Sequence, residues 1–484
     1  FLNVIYALHR RSDLEDPAAL IYAGAGTAAV FVGDLISLFV FWELTAISSV
    51  FLIWASRTER AYKAGMRYLI IQVGSGVILL AGVILHVRST GSLTFDHIGL
   101  DGLASWLILI AFGIKAAFPF LHNWLQDAYP EATVTGTVVL SAFTTKLAIY
   151  ALARGYAGTE ILVYIGAIMT AFPVFFAVIE NDLRRVLAFS LNNQLGFMVA
   201  GIGVGTAVAM NGAVAHAFVH IIYKSLLFMS MGAVLHRVGT IKASELGGLY
   251  RSMPFTTVCC IVGAASISAF PLFSGFIAKS LTLTSAAEQG YVISWLILVF
   301  ASAGVLEHSG IKIPYFAFFA HDSGIRCREA PTNMLVAMGL AAFLCIAIGV
   351  YPDPLYAMLP NEVEFEPYTG SHVLSQLQLL FFAMLAFAIL VRTGLYPKEL
   401  PSTNLNFDWL YRKALPALVR GFLTVGGRLQ DQVLARVRRG LEHFVYQLYR
   451  HHGPDGILAR TWPTGSTALW VALMLGAYLF YYFV

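Results

Sequence analysis

The chain has 484 residues, of which 58% are hydrophobic and only 12% are charged, and its mean hydropathy is +0.73. Soluble domains carry about 25% charged residues, so this composition excludes an ordinary soluble globular protein. The formal net charge of +4 is too small to indicate a nucleic-acid partner, and we expect none. The lipid bilayer is the expected surrounding.

Uncharged runs of about 20 residues, the length that crosses a bilayer core, recur along nearly the whole chain. In lipid such runs form helices or barrel strands, because unpaired backbone groups cost several kcal/mol each. Barrel strands alternate in polarity at every second residue, and these runs are uniformly apolar. The sequence therefore predicts an all-α polytopic membrane protein. Its thirteen candidate spans lie near 17–36, 38–55, 65–87, 102–127, 132–153, 161–179, 184–203, 206–236, 253–286, 291–319, 332–351, 372–395 and 467–483.

The two ends of the chain differ from its middle. We expect residues 1–16 to be the remnant of an earlier helix and its loop, because the chain opens at Phe1 within an apolar segment. Residues 332–395 carry additional spans, and residues 467–484 form a terminal anchor. Between them, residues 407–451 alternate apolar and basic residues at helical spacing.

This basic segment, residues 407–451, is predicted to lie along an interface or a partner as a lateral amphipathic helix. The alternative is a soluble helical pair, because Pro416 and Gly426–Gly427 interrupt the pattern.

Lysine and arginine collect in alternate short loops, on the same side as the basic segment. Loops rich in these residues face the cytoplasm. We therefore expect a multi-pass protein of the cell inner membrane, with the basic loops and residues 407–451 cytoplasmic and Val484 outside.

Two prolines interrupt long apolar runs at matching places. Pro119 lies in residues 117–121 and Pro271 in residues 269–276, five spans later, and both follow an Ala-Phe pair. Each proline removes a backbone donor, so both helices should be broken within the membrane. Because five is odd, the second copy enters from the opposite face. This predicts two inverted repeats, residues 17–153 and 161–319, with an ion path at their breaks. A chance pair of proline kinks is the alternative.

Ionisable residues interrupt several spans. Each costs at least about 2.5–3.5 kcal/mol to insert, so each needs a partner or a function. A single lysine could instead extend to the headgroups, and a single histidine could join two helices by a hydrogen bond. As a set they can form a path along which protons hop. The candidate proton-path residues are Glu43, Lys115, Lys146, His216, His220, Lys224 and Lys279.

The cysteines indicate no metal centre. Cys259, Cys260, Cys327 and Cys345 show no CxxC pair and no spacing suited to zinc or an iron–sulfur cluster. No dinucleotide-binding fingerprint is present either. We expect no metal site and no cofactor in this chain, which disfavours a subunit that performs redox chemistry itself.

Three segments carry a family resemblance. Residues 120–132 resemble the block P-L-H-x-W-L-x-D-A-x-x-E-A after the broken seventh helix of antiporter-like subunits. Residues 180–197 resemble their motif N-D-x-K-R-x-x-A-Y-S followed by Q-x-G-Y. Residues 216–228 resemble their eleventh-helix motif H-x-x-x-H-x-x-x-K-x-L-L-F. The chain thus resembles the antiporter-like subunits shared by complex I and Mrp cation/proton antiporters, from about residue 20 to 350.

The resemblance implies roles for the buried charges. Glu43 occupies the place of the family's fifth-helix glutamate, and Lys115 that of the seventh-helix lysine with which it forms an ion pair. Lys146 and Lys279 match the eighth-helix and twelfth-helix lysines. The family often has an acidic residue after the last of these, where this chain has Ser280.

The resemblance also implies a function. It predicts a proton-translocating subunit that works with other membrane subunits and moves protons and Na⁺. Residues 133–137 look more like the D-type Mrp subunits, whereas residues 407–451 and the last span resemble the largest antiporter-like subunit of complex I. In complex I the chain would belong to an NADH:quinone oxidoreductase. A scaffold that has lost transport is the third interpretation. Glu307, His308 and Lys312 make one span unusually polar, and the sequence assigns them no role.

Overall fold

The computed structural model describes residues 1–400, 404–461 and 463–483. These residues form two compact units, residues 1–406 and residues 407–484, which are described separately. Within the described residues, regular structure is helical apart from two isolated β-bridges. The predicted all-α membrane protein is confirmed.

The described residues of the first unit form eighteen α-helices. Their bounds are α1 Leu2–Ala7, α2 Glu15–Ala28, α3 Leu35–Trp54, α4 Glu59–Thr90, α5 Gly102–Ala116, α6 Asn123–Ala128, α7 Val134–Ala142, α8 Thr144–Tyr156, α9 Ile161–Ile179, α10 Leu183–Val204, α11 Ala207–Val238, α12 Pro254–Ile267, α13 Ser274–Glu288, α14 Val292–Val305, α15 Lys312–Pro314, α16 Thr332–Val350, α17 Asp353–Tyr356 and α18 Gly370–Thr393. Two π-helical stretches, Leu306–Ile311 and Tyr315–Phe319, flank α15.

Ten of the thirteen predicted spans coincide with helical stretches that are long and apolar enough to cross a membrane. Two others, near 102–127 and 253–286, are the broken helices α5/α6 and α12/α13. The prediction of a span over 17–36 is wrong at its end, because α2 stops at Ala28 and Asp34 already caps α3. The apolar run continued through the turn between these helices and so concealed their boundary.

Both predicted breaks are present and share one backbone conformation. Ala117 and Phe120 have positive φ angles of 64° and 69° around Pro119. Ala269 and Leu272 have positive φ angles of 58° and 74° around Pro271. Left-handed backbone conformations are costly for residues with a side chain. Two such residues flank each proline, which a simple proline kink does not require. The two breaks therefore share one backbone geometry.

Helix starts also correspond between the two halves. Asp34 caps α3 and pairs with Thr94 in an antiparallel bridge, while Asp182 caps α10 and pairs with Lys242 in the same way. Each side chain accepts backbone N–H bonds that the first turn leaves free. Both members of the second pair stand 148 positions after those of the first (34 and 182, 94 and 242).

The ends of α4 and α11, the two longest helices described in the first unit, are also 148 positions apart. Thr58 caps α4 and Thr206 caps α11, each by accepting a backbone N–H bond. Gly91 and Gly239 end these helices with φ angles of 71° and 82°, a conformation that glycine adopts without steric cost. Both pairs are again 148 positions apart, so the two helices begin and end at the same spacing.

The core lies around α10 and α11. The apolar window of α10 is entirely buried, and that of α11 is 83% buried. By contrast, only 11% of the α18 window is buried. The candidate residues of α11 therefore lie inside the helical bundle and away from its surface.

In its described residues, the second unit contains a short π-helical turn, Leu410–Ala414, and two helices, α19 Leu415–His452 and α20 Thr464–Phe483. The alternative prediction of a helical pair is wrong, because α19 is one continuous helix of 38 residues. Pro416 stands in its first turn, where a missing N–H has no cost, and Gly426–Gly427 lie inside the helix. Val484, predicted to lie outside the cell, falls beyond the described residues.

Candidate functional site

Lys115 lies at the end of α5, one turn before the first break, and is fully buried. Its Nζ donates hydrogen bonds to the carbonyl oxygen of Trp42 at 2.8 Å and to Thr45 Oγ1 at 2.9 Å. The ammonium also lies 4.3 Å from the centre of the Trp42 ring, which adds a cation–π contact. Neutral groups of α3 therefore hold the charge of this lysine.

Glu43 projects from α3 toward α4. Its Oε1 is buried and has no hydrogen-bond partner among the described residues. Glu43 Oε1 can lie there only because residue 76 is glycine, since a Cβ on Gly76 would overlap this oxygen. In the described part of the chain, no direct ion pair joins Glu43 to Lys115, although the resemblance implied one. Lys115 bonds to neutral groups of α3, whereas Glu43 Oε1 lies against Gly76 of α4.

Lys279 lies one turn into α13, after the second break, and is only 1% exposed. Its Nζ donates to the carbonyl oxygen of Ile267 at 2.7 Å. That carbonyl would bond to residue 271 in an unbroken helix, but Pro271 has no N–H. The lysine thus supplies the missing donor and does not extend to the surface. Its Nζ lies 5.0 Å from the centre of the Phe197 ring.

Lys146 lies at a third interruption, where α7 ends and α8 begins. Its Nζ donates to the carbonyl oxygen of Ser141, in the last turn of α7, at 2.7 Å. A longer contact of 3.3 Å joins it to Thr145 Oγ1. The side chain is buried, so this lysine also places its charge on a carbonyl next to a helix interruption.

His216, His220 and Lys224 share one face of α11, and all three are fully buried. The Nε2 atom of His216 lies 3.0 Å from Gln194 Oε1 on α10 and 2.9 Å from Tyr223 OH. The His216 bond thus joins two helices, as the structural alternative predicted. Neither ring nitrogen of His220 has a hydrogen-bond partner among the described residues, and neither does the Nζ of Lys224.

The corresponding face of α4 is uncharged. The residues 148 positions before this histidine–lysine face are also buried, yet none of them ionises near neutral pH. They are Tyr68, Gln72 and Gly76. The side-chain nitrogen and oxygen of Gln72 are buried without a partner, like the ring of its counterpart His220. On α11 these three positions carry ionisable side chains. On α4 the last of the three is Gly76, and its missing side chain leaves the space that Glu43 Oε1 occupies.

Sequence reasoning overlooked Glu15 on α2. Its side chain is only 4% exposed, and Oε1 accepts hydrogen bonds from the hydroxyls of Thr133 and Thr135. The residue stands among charged neighbours in a polar stretch, so no sequence signal distinguished it. Only the folded chain shows that its carboxylate lies against the start of α7.

A second overlooked acidic residue is Glu399. It follows α18 and forms an ion pair with Lys312, with Nζ and Oε1 2.8 Å apart. Lys312 is fully buried and also donates to the carbonyl oxygens of Val178 and Glu180. The lysine that had no assigned role therefore caps the end of α9. Its partner lies 87 residues later in the chain, so spacing could not reveal the pair.

The described residues contain no group of three or more His, Cys, Asp or Glu side chains that could hold a metal ion. Among the buried ionisable side chains of the described residues, lysines and histidines outnumber carboxylates, and three of the lysines lie beside helix interruptions. The fold and this set of charges define an antiporter-like membrane subunit.

Residues 32–306 match the family described as NADH:quinone oxidoreductase/Mrp antiporter, TM. The chain belongs to this family. The D-type subunit of the Na⁺/H⁺ antiporter of Alkalihalophilus pseudofirmus is 30% identical over 69% of this chain and 72% of the relative. Hydrogenase-4 component B of Escherichia coli K12 is 29% identical over 68% of this chain. That match spans only 57% of the hydrogenase component.

A solved structure agrees with the fold. A chain of the Mrp complex from Dietzia sp. DQ12-45-1b superposes with a TM-score of 0.68. The match covers 73% of this chain and 78% of that one, at 24% identity.

Proposed function

We propose that this protein is a proton-translocating subunit of a multi-subunit, Mrp-type cation/proton antiporter that exchanges Na⁺ for protons. The observation that carries the proposal is the face of α11 formed by His216, His220 and Lys224. All three are fully buried, and two have no hydrogen-bond partner among the described residues. Burying an ionisable group without a partner is costly, so its presence favours a function in charge movement.

Three further lysines, together with the α11 face, form the proposed proton path. Lys115, Lys146 and Lys279 each lie beside a helix interruption, and each ammonium bonds to a backbone carbonyl. Lysine changes its proton affinity readily when it is buried, because low polarity disfavours the charged form. In the proposal Glu43 controls the charge of Lys115, and protons pass between the lysines and histidines of the two halves.

The proposal includes the arrangement in the membrane. Residues 17–153 and 161–319 are the two inverted repeats, and the matching caps and breaks described above support them. The basic loops and residues 407–451 face the cytoplasm, and the protein lies in the cell inner membrane with other membrane subunits. Residues 407–451 form the lateral segment, and the chain itself carries no cofactor.

A redox-driven complex is the second candidate, because one relative is a component of a hydrogenase. There the same residues would pump protons while other subunits perform the redox chemistry. The two candidates predict different driving forces. Na⁺ gradients drive proton movement in the first, and oxidation of a reduced substrate drives it in the second.

The test uses the whole assembly in inverted membrane vesicles, with a fluorescent probe of the pH gradient. We expect Na⁺ addition to dissipate a preformed gradient, and Glu43→Ala or Lys115→Ala to abolish this response while the assembly remains intact. The matched control is Lys63→Ala, which removes an exposed lysine on α4. If transport survives both pathway substitutions, proton translocation by these residues is wrong. A gradient formed only with NADH or hydrogen would select the redox-driven complex.

A further inference from the structure

Four buried hydroxyl groups connect the surroundings of two lysines in the first half of the protein. Ser49 Oγ lies 2.8 Å from Tyr68 OH, which lies 3.5 Å from Thr144 Oγ1. Thr144 Oγ1 in turn lies 2.5 Å from Tyr22 OH. These four side chains, here called the hydroxyl relay, come from α3, α4, α8 and α2, and all are fully buried.

We propose that the hydroxyl relay passes protons between Lys115 and Lys146. This inference rests on the proposed proton translocation and names residues that the candidate set lacked. A hydroxyl donates one hydrogen bond and accepts others, so it can receive a proton on one side and release its own on the other. In each of the three contacts, either oxygen can be the donor.

The proton balance closes at the two lysines. The ammonium of Lys115 loses one proton and becomes an amine, while the amine of Lys146 gains one and becomes an ammonium. Between them, the hydroxyls of Ser49, Tyr68 and Thr144 keep their composition and only reverse the direction of their hydrogen bonds, while Tyr22 bonds to Thr144 at the side of this path. No oxidant, reductant or further reactant is needed.

Each lysine bonds to a hydroxyl beside a member of the relay, Lys115 beside Ser49 and Lys146 beside Thr144. Lys115 Nζ bonds to Thr45 Oγ1 at 2.9 Å, and Ser49 follows one turn later on the same face of α3. Lys146 Nζ contacts Thr145 Oγ1 at 3.3 Å, directly after Thr144 in the chain. The flexible four-carbon stem of Lys115 allows its ammonium to move from Thr45 to Ser49, about one turn away. The stem of Lys146 likewise allows its ammonium to move from Thr145 to the adjacent Thr144.

The repeat supports the relay independently. Tyr68 is the α4 residue that corresponds to His216 on α11, 148 positions later. Ser49 corresponds in the same way to Phe197, whose ring lies 5.8 Å from that of His216. The same pair of positions is therefore in contact in both halves. In the second half it contains an ionisable imidazole, and in the first half two hydroxyls.

The alternative is that the four hydroxyls only hold helices together. Tyr22 OH accepts the backbone N–H of Thr144 at 2.7 Å, a bond that stabilises the start of α8. Tyr22 is for this reason a poor test position. Tyr68 and Thr144 allow changes that remove a hydroxyl and keep the shape of the side chain.

The experiment compares Tyr68→Phe, Thr144→Val and Thr144→Ser in the whole assembly, with Na⁺-driven proton transport and thermal unfolding as readouts. The matched control is Tyr156→Phe on α8, because that fully buried hydroxyl bonds to a backbone carbonyl oxygen, that of Ser105, at 2.6 Å. We expect Tyr68→Phe and Thr144→Val to slow transport at least about tenfold, since positioned proton-transfer groups contribute roughly 10²–10⁴-fold. Thr144→Ser and Tyr156→Phe should transport at nearly the unmodified rate.

Transport by Tyr68→Phe and Thr144→Val at the rate of Tyr156→Phe would overturn the relay, whatever their unfolding temperatures. If Tyr68→Phe does not assemble, the Thr144→Val and Thr144→Ser pair decides, because only the first lacks a hydroxyl. Lys115→Ala is measured in parallel. If it stops transport while the hydroxyl variants do not, the relay alone fails, and if it too has no effect, the proposed function fails.

Discussion

The ammonium of Lys279 and the carbonyl oxygen of Ile267 face each other across the second helix break, 2.7 Å apart. The lysine occupies the place of the backbone N–H that Pro271 lacks. The break thus exposes an acceptor inside the protein, and the buried charge satisfies it. Contacts of this kind can be tested by replacing one partner and measuring the change in stability or transport.

Lys279→Met should lower the thermal stability of the assembly, because it leaves the Ile267 carbonyl buried without a donor. Such a group costs about 1–3 kcal/mol. Adding Pro271→Ala returns a backbone N–H beside this carbonyl, so the double variant should recover part of the loss. Thermal unfolding of the purified assembly measures both changes. Strictly additive effects of the two substitutions would show that the lysine and the proline are not coupled.

Gly76→Ala should impair transport as strongly as Glu43→Gln. The added methyl group would overlap Glu43 Oε1 and must displace the carboxylate. A flexible side chain can move without unfolding the helix, so the assembly should remain intact. Gly74→Ala is the control, since nothing lies within 4 Å of a Cβ at that position of the same helix. Equal transport by the two alanine variants would mean that the position of the Glu43 carboxylate does not matter.

Glu399→Gln should destabilise the first unit by about 3–5 kcal/mol, the usual effect of removing one partner of a buried ion pair. Its carboxylate is 2.8 Å from Lys312 Nζ, and the two side chains are only 6% and 0% exposed. A double variant that also carries Lys312→Met should recover part of this loss. Chemical unfolding of the purified protein measures the cycle.

The control for that cycle is the solvent-exposed pair of Lys63 and Glu59 on α4. Glu59→Gln should leave stability unchanged, because water screens an exposed pair. A loss at Glu399 no larger than at Glu59 would contradict a structural role for the buried pair.

Thr133→Val should destabilise the protein by about 2 kcal/mol or more, through two lost bonds. The Thr133 hydroxyl donates to Glu15 Oε1 at 2.7 Å and accepts the Gly136 N–H at 2.9 Å. Thr133→Ser keeps both bonds and should resemble the unmodified protein. Thermal unfolding distinguishes them, and identical unfolding of both variants would refute this double role.

Much of the fold could be predicted from local pattern. The span predicted at 161–179 matches α9 residue for residue, because a uniformly apolar run between polar residues has one favourable conformation in lipid. Both helix breaks followed from Pro119 and Pro271, since a proline removes a backbone donor wherever it stands. The end of α2 escaped prediction because residues 29–32, which follow it, are also apolar.

The ionisable residues inside the spans could likewise be recognised from sequence, because a charge among apolar residues is visible without a structure. The groups that each charge contacts could not be predicted from the sequence. Lys115 bonds to α3, 70 or more residues away in the chain, and Lys312 pairs with Glu399 beyond two further spans. Hydrogen-bond partners depend on which helix faces meet, and the hydroxyl relay needs four helices to converge. By itself the sequence determined a helical membrane protein with broken helices and buried charges, because these depend on local chemistry. Only the tertiary structure decided which groups those charges touch, because helix packing brings distant residues within a few ångströms.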